Sequence, residues 1–121
     1  MKKAEALHSF WSSFQLPAYD EYTVPDKPEY PYITYEVSEG ELDYPVVLTA
    51  SLWYSGTSWK QAEDKADEIA ETIKHMRPIK IDRGYVVITA GSPFAQRMYD
   101  PNDDRVRRML INITVEYFTE Y

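Results

Sequence analysis

The residue types that do chemistry are few in this sequence, and their spacing suits it poorly. The only histidines, His8 and His75, fall in stretches that read as helices, and neither has a local serine or acid motif of the triad kind. Cysteine is absent, which removes thiol nucleophiles, zinc–thiolate sites and disulfides at once. Asp100-Pro101-Asn102-Asp103-Asp104 offers oxygens at Asp100, Asn102 and Asp104. A helix–loop–helix calcium loop needs glycine at its sixth position and glutamate at its twelfth, and Arg105 and Ile111 stand there instead. Asp-Pro-Asn is better read as a turn. The 4 glycines are not clustered, so no phosphate-cradling loop is formed. Carboxylate pairs such as Asp20-Glu21 and Glu39 with Glu41 sit in a solvated acidic run. From the residues alone we expect no catalytic residue, no cofactor, no metal site and no enzyme.

The elements that must carry any other function begin with size and charge. At 121 residues the chain has room for one domain, 1–121. A 44% hydrophobic share supports a real core and excludes a disordered chain. No apolar run approaches the ~18 residues of a membrane span. The N-terminus is basic but lacks the apolar centre of a signal peptide, so secretion is not expected. The formal net charge is -7. Residues 19–44 hold eight acids and only Lys27, so this one stretch carries the whole imbalance. Such acidity argues against a general nucleic-acid-binding module, which would show a basic patch. The opposite sign gathers at Arg105, Arg107 and Arg108.

Ala4, Leu7, Trp11 and Phe14 recur at three and four, which predicts a short amphipathic helix over 2–14. Pro17 stops it. Residues 15–31, with Pro17, Pro25, Pro28 and Pro31 among tyrosines, read as an extended arm. Tyr32–Val37 alternates as a strand, and Pro45–Tyr54 as a longer one, the two paired as a hairpin across an acidic loop. Trp59, Ala62, Ala66, Ile69, Ile73 and Met76 form one stripe, which predicts a helix over 59–75 opened by Ser58 and closed by Pro78. Ile79–Asp82 allows a short strand, and Tyr85–Thr89 makes a firmer one. In the final strand Met109, Ile111, Ile113, Val115 and Tyr117 alternate with Leu110, Asn112, Thr114, Glu116 and Phe118, one face for the core and the other mixed. The expected fold class is α+β: a single antiparallel sheet of about four strands, with two helices packed on one face, in the order α-β-β-α-β-β.

Between the last two strands, residues 91–106 read as a long loop bearing Phe94, Arg97, Met98 and Tyr99. Loops of this length are commonly functional, and such side chains are those of interface hot spots. Phe10-Trp11-Ser12-Ser13-Phe14, Leu16-Pro17-Ala18-Tyr19, Val24-Pro25, Pro31-Tyr32-Ile33-Thr34-Tyr35, Leu48-Thr49-Ala50-Ser51-Leu52-Trp53-Tyr54 and Ser58-Trp59 precede this loop in order. Gly91-Ser92-Pro93-Phe94-Ala95-Gln96-Arg97-Met98 and Arg107-Arg108 complete the set. Taken together, from about residue 7 to 121, they make the chain resemble the tail-terminator or tail-completion proteins of long-tailed phages and prophages of Gram-positive bacteria.

The resemblance implies a structural virion-assembly protein, made in the host cytoplasm and ending at the head-proximal end of the tail. Members of that family form a ring, usually of six subunits, which caps the tail tube, stops its polymerisation and presents a surface to the head-closure protein. DNA passes through the ring without specific binding. The resemblance makes Trp53, Phe94, Arg97, Met98, Tyr99, Arg105, Arg107 and Arg108 candidate interface residues. Glu36, Glu39, Glu41 and Asp43 become either a lumen wall that repels DNA or a patch that meets those arginines on a neighbour. The nearest alternative is a head-closure or head–tail connector protein of the same region. An acidic DNA-mimic inhibitor is a more distant one.

Overall fold

The computed structural model describes residues 1–38 and 44–119, Thr119 by its backbone alone. The expected Glu39, Glu41 and Asp43 patch lies outside the described residues. In chain order the elements are α1 (Lys3–Ser12), β1 (Ala18–Asp20), β2 (Tyr32–Tyr35), β3 (Val46–Ser55), α2 (Lys60–His75), β4 (Ile79–Ile81), β5 (Gly84–Met98) and β6 (Val106–Thr119).

The six strands form one curled, mixed sheet in the order β1-β2-β3-β6-β5-β4. This corrects the expected antiparallel sheet of about four strands. Three physical reasons account for the difference. The proline-rich arm contains a strand: Ala18, Tyr19 and Asp20 run parallel to Ile33, Thr34 and Tyr35, and residues 21–31 form the crossover. Three residues of β4, Ile79 to Ile81, suffice to pair with Gly84–Val86 through the turn at Arg83, where φ is 62°. Third, residues 91–98 belong to β5, which shortens the connection to β6 to residues 99–105.

That third correction turns on a bulge. Ala90 pairs with Ile113 and Ala95 with Ile111, so Gly91–Phe94 stand opposite Asn112 alone. Asn112 Nδ2 donates to the Pro93 carbonyl at 2.9 Å and so holds the bulge against β6. Before it Val86 and Ile88 face the core; after it the odd residues Ala95 and Arg97 pair with the core-facing Ile111 and Met109. The alternation changes phase within one strand, which breaks the period-two signal that would reveal it.

The core lies on one face. Leu48, Ala50, Leu52 and Tyr54 of β3 and Met109, Ile111, Ile113, Val115 and Tyr117 of β6 form a single cluster with Leu7, Phe10 and Trp11 of α1 and Ala62, Ala66, Ile69 and Ile73 of α2. The small alanines of α2 let that helix lie close over the middle strands. α1 lies against β1 at one edge and β4 at the other, so it bridges the mouth of the curl. Lys65 Nζ donates to the Phe14 carbonyl at 2.9 Å and ties the segment that follows α1 to α2. The Tyr117 hydroxyl donates to the Ser38 carbonyl at 2.9 Å, closing the far end.

A methyl group at Gly91 would stand 2.8 Å from the Asn112 carbonyl oxygen and 2.9 Å from its Cβ, and the backbone there cannot yield cheaply. Gly91→Ala is expected to cost about 1–3 kcal/mol, read as a lower urea midpoint at unchanged slope. Burial, with the nearby Tyr30, Asp20 and Glu68 adding to it in turn, raises the phenol pKa values of Tyr32, Tyr35 and Tyr54 above 10.0. The native state therefore keeps protons that the unfolded chain gives up. The stabilisation is whole below pH 10.0 and is lost as pH rises through the folded values. Thermal melts between neutral pH and pH 11 should show the midpoint holding, then falling as tyrosinate absorbance appears.

Candidate interface on the outer sheet face

The face of the sheet turned away from both helices carries a row of aromatic and cationic side chains across its central strands. Register places Tyr32 beside Trp53, Trp53 beside Arg108 and Arg108 beside Met98. The Tyr32 and Trp53 rings stack, with centroids 5.9 Å apart and planes 11° from parallel. Trp53 Nε1 donates to Thr34 Oγ1 at 2.9 Å. The Arg108 guanidinium lies 4.8 Å from the Trp53 centroid, and its Nε donates to the buried Ser51 hydroxyl at 3.0 Å. Tyr19 and Tyr30 extend the aromatic contact beyond Tyr32. Stacking and the fixed guanidinium make this a preformed surface, with little rotamer freedom left to lose on binding. At the other end of the same face Val47, Tyr85 and Phe118 are exposed. Small polar residues such as Thr49, Asn112 and Thr114 separate the two ends.

A second cluster forms around Trp59, where α2 begins. Arg97 and Arg107 approach its ring at 5.1 and 5.6 Å. Arg97 is ion-paired with Glu63. Arg107 Nη1 donates to the carbonyls of Asp104 and Val106 at 2.5 and 3.1 Å. Its Nε is buried and finds no partner among the described residues. Beside it lies a cleft of about 240 Å³ lined by Trp59, Met98, Tyr99, Asp100, Asp103, Asp104, Val106 and Arg107.

The structure divides the residues singled out in the sequence. Trp53 and Arg108 meet on the outer face, with Met98 half-buried beside them. Tyr99 projects freely, 85% exposed. Phe94 instead packs against the core. Arg97 and Arg107 turn to the helix side and are held there by Glu63 and Trp59. Arg105 is exposed, and its guanidinium has no partner among the described residues. Glu36 is engaged locally: its backbone N–H donates to the Thr49 carbonyl at 2.9 Å, and its Oε1 accepts the Thr49 N–H at 3.0 Å. It holds the β2–β3 pairing.

The aspartates of 100–104 build turns. Asp100 Oδ1 accepts the Asn102 N–H at 2.8 Å and Asp103 Oδ1 the Arg105 N–H at 2.9 Å. Among the described residues no His, Cys, Asp and Glu side chains group to hold a metal. His8 links Ser12 and the Tyr35 hydroxyl in a chain of 3.2 and 2.7 Å. That chain runs from the exposed Ser12 and His8 of α1 to the buried Tyr35 of β2, and none of the three lines the cleft. His75 reaches Glu71 at 2.9 Å on the surface of α2. Sequence reasoning missed the parts played by Tyr32, Ser51 and Trp59. The hairpin pairing already implied a neighbour for Trp53; the two-arginine setting of Trp59 had no signal, because its partners lie far along the chain.

No protein-family model matches this sequence, and no curated protein is significantly similar to it.

Arg105 and Arg107, two residues apart, should respond differently to charge reversal. Arg105→Glu should leave unfolding free energy within about 0.5 kcal/mol, whereas Arg107→Glu should cost about 1–3 kcal/mol by removing the Trp59 contact and facing a carboxylate toward two carbonyls. Urea titration of both variants checks this.

Proposed function

We propose that this chain is a structural assembly subunit of the tail-terminator kind, which closes into a ring, caps a phage tail tube and offers the head-docking surface. The observation that carries the reading is the outer sheet face, which no helix among the described residues covers, with half-buried Trp53 and Arg108 stacked beside the buried Tyr32 at one end and exposed Val47, Tyr85 and Phe118 at the other. A cap that meets the tube and also offers a head-docking surface must present two different patches, and this face carries two. The rigid aromatic–arginine row has the composition of an interface centre. Growth stops because the cap binds the last tube ring more favourably than another tube subunit does. In this reading the tube contact lies at Trp53, Met98 and Tyr99, with Phe94 anchoring the β5 bulge from the core side. The protein acts in the host cytoplasm during assembly and stays in the virion, and DNA passes the ring without being read.

Electron microscopy of particles made without this protein should show overlong tails. Tails of normal length that fail to attach to heads would overturn the terminator role and support a head–tail connector. Tyr99→Ala, at an exposed side chain, should leave the protomer's melting unchanged while lengthening tails.

A further inference from the structure

Two segments of opposite charge lie at the two edges of the sheet. Residues 20–31, which leave β1 at one edge, carry Asp20, Glu21, Asp26 and Glu29 against Lys27, a net of −3. Residues 74–83, which lead from α2 through β4 at the other edge, carry Lys74, Arg77, Lys80 and Arg83 against Asp82, a net of +3. Glu21, Asp26 and Glu29 are exposed, and their carboxylates have no partner among the described residues; Lys74, Arg77 and Arg83 are exposed and equally unengaged. Lys80 Nζ lies 4.7 Å from the Tyr85 ring. The single acid of the basic segment is already neutralised: Asp82 meets the Met1 ammonium at 2.6 Å, which holds its carboxyl below the usual range.

The basic edge is also where main chain stands open. Pro78 has no N–H with which to extend β4. From Val87 to Met98, β5 has β6 on one side and, among the described residues, no strand on the other. Thr89, Ala90, Gln96 and Arg97 are exposed along that stretch. Open edges recruit other chains, and complementary charge selects which chain and in what orientation. Here the complement is on the same molecule at the opposite edge, where it serves a neighbour in head-to-tail order.

We propose that the acidic arm of one copy docks on the basic edge of the next, with Glu21, Asp26 and Glu29 facing Arg77 and Arg83. The proposal rests on the ring reading and names the surfaces that meet in it. It differs from a contact through Arg107 and Arg108, whose guanidinium groups are held inside their own protomer by Trp59 and by Trp53 with Ser51. Exposed ion pairs are individually weak, so the contact should act as a set and weaken with salt.

The absence of cysteine allows a direct test. Lys27→Cys and His75→Cys place single thiols beside the two surfaces without touching the carboxylates or guanidinium groups proposed to meet. An equal mixture treated with a flexible bismaleimide at low salt should give the 27-to-75 product in about fivefold excess or more over either same-site product. The excess should vanish in about 1 M salt. It should also vanish when Arg77→Glu and Arg83→Glu are added to the His75→Cys chain, with urea melts confirming that each variant folds. A chain bearing both thiols should give a ladder that ends in one discrete closed species. Statistical cross-linking, same-site excess, or a yield indifferent to Arg77→Glu and Arg83→Glu overturns the docking and leaves the ring to the tail-length assay. A directional ladder without an end species supports the docking and overturns the ring.

Discussion

Two helices must cover one face of a six-stranded sheet, and the rest of the structure depends on how α1 accomplishes this. It is 10 residues long, yet it touches β1 and β4, the two edges, because the sheet curls to bring them within reach. Leu7, Phe10 and Trp11 fill the mouth of the curl, while the 16-residue α2 lies over the middle with its alanines toward the strands. The buried side chains of β6, from Met109 to Tyr117, form the floor on which α2 rests, in one cluster with the buried residues of α1. Most of the large apolar residues are drawn to this inner face, while the outer face carries aromatic, cationic and small polar residues with a few exposed apolar ones such as Val47 and Phe118.

Much of this was legible in the sequence, for identifiable reasons. The stripe from Trp59 to Met76 and the alternation from Met109 to Phe118 are long enough to average out local noise, and they mark α2 and β6. Of the short strands, β2 and β4 could be read and β1 was hidden. Nothing in Ala18-Tyr19-Asp20 separates a strand from the extended arm around it, because its identity comes from the hydrogen bonds it makes to β2. The second half of β5 was hidden in a different way. Gly91-Ser92-Pro93 carries turn residues, and the bulge they form reverses which residues face inward, so Phe94 reads as a loop hot spot when it belongs to the core margin. The same reversal sends Arg97 to Glu63 and Trp59 and leaves Met98 beside Arg108.

The candidate site was legible in residue type more than in use. Seven basic and six acidic residues between 77 and 121 look alike on paper. The fold separates them by what they touch. Arg97, Arg107 and Arg108 are spent on tryptophans and local acceptors, whereas Arg77, Arg83 and Arg105 keep their guanidinium groups in solvent. Cations held against aromatic rings give a surface its shape, and those left in water give it reach and salt sensitivity. The proposed functions draw on both groups: Arg108, stacked on Trp53, in the contact platform, and Arg77 and Arg83 to select and orient a neighbour.

The bridge that α1 makes between the edge strands has a geometric consequence. The sheet cannot flatten or tighten without unseating Leu7, Phe10 and Trp11, so the angle between its edges is fixed by the width of one short helix. If copies join edge to edge, that angle is the turn made at each joint, and the helix acts as the gauge that decides how many copies complete a circle.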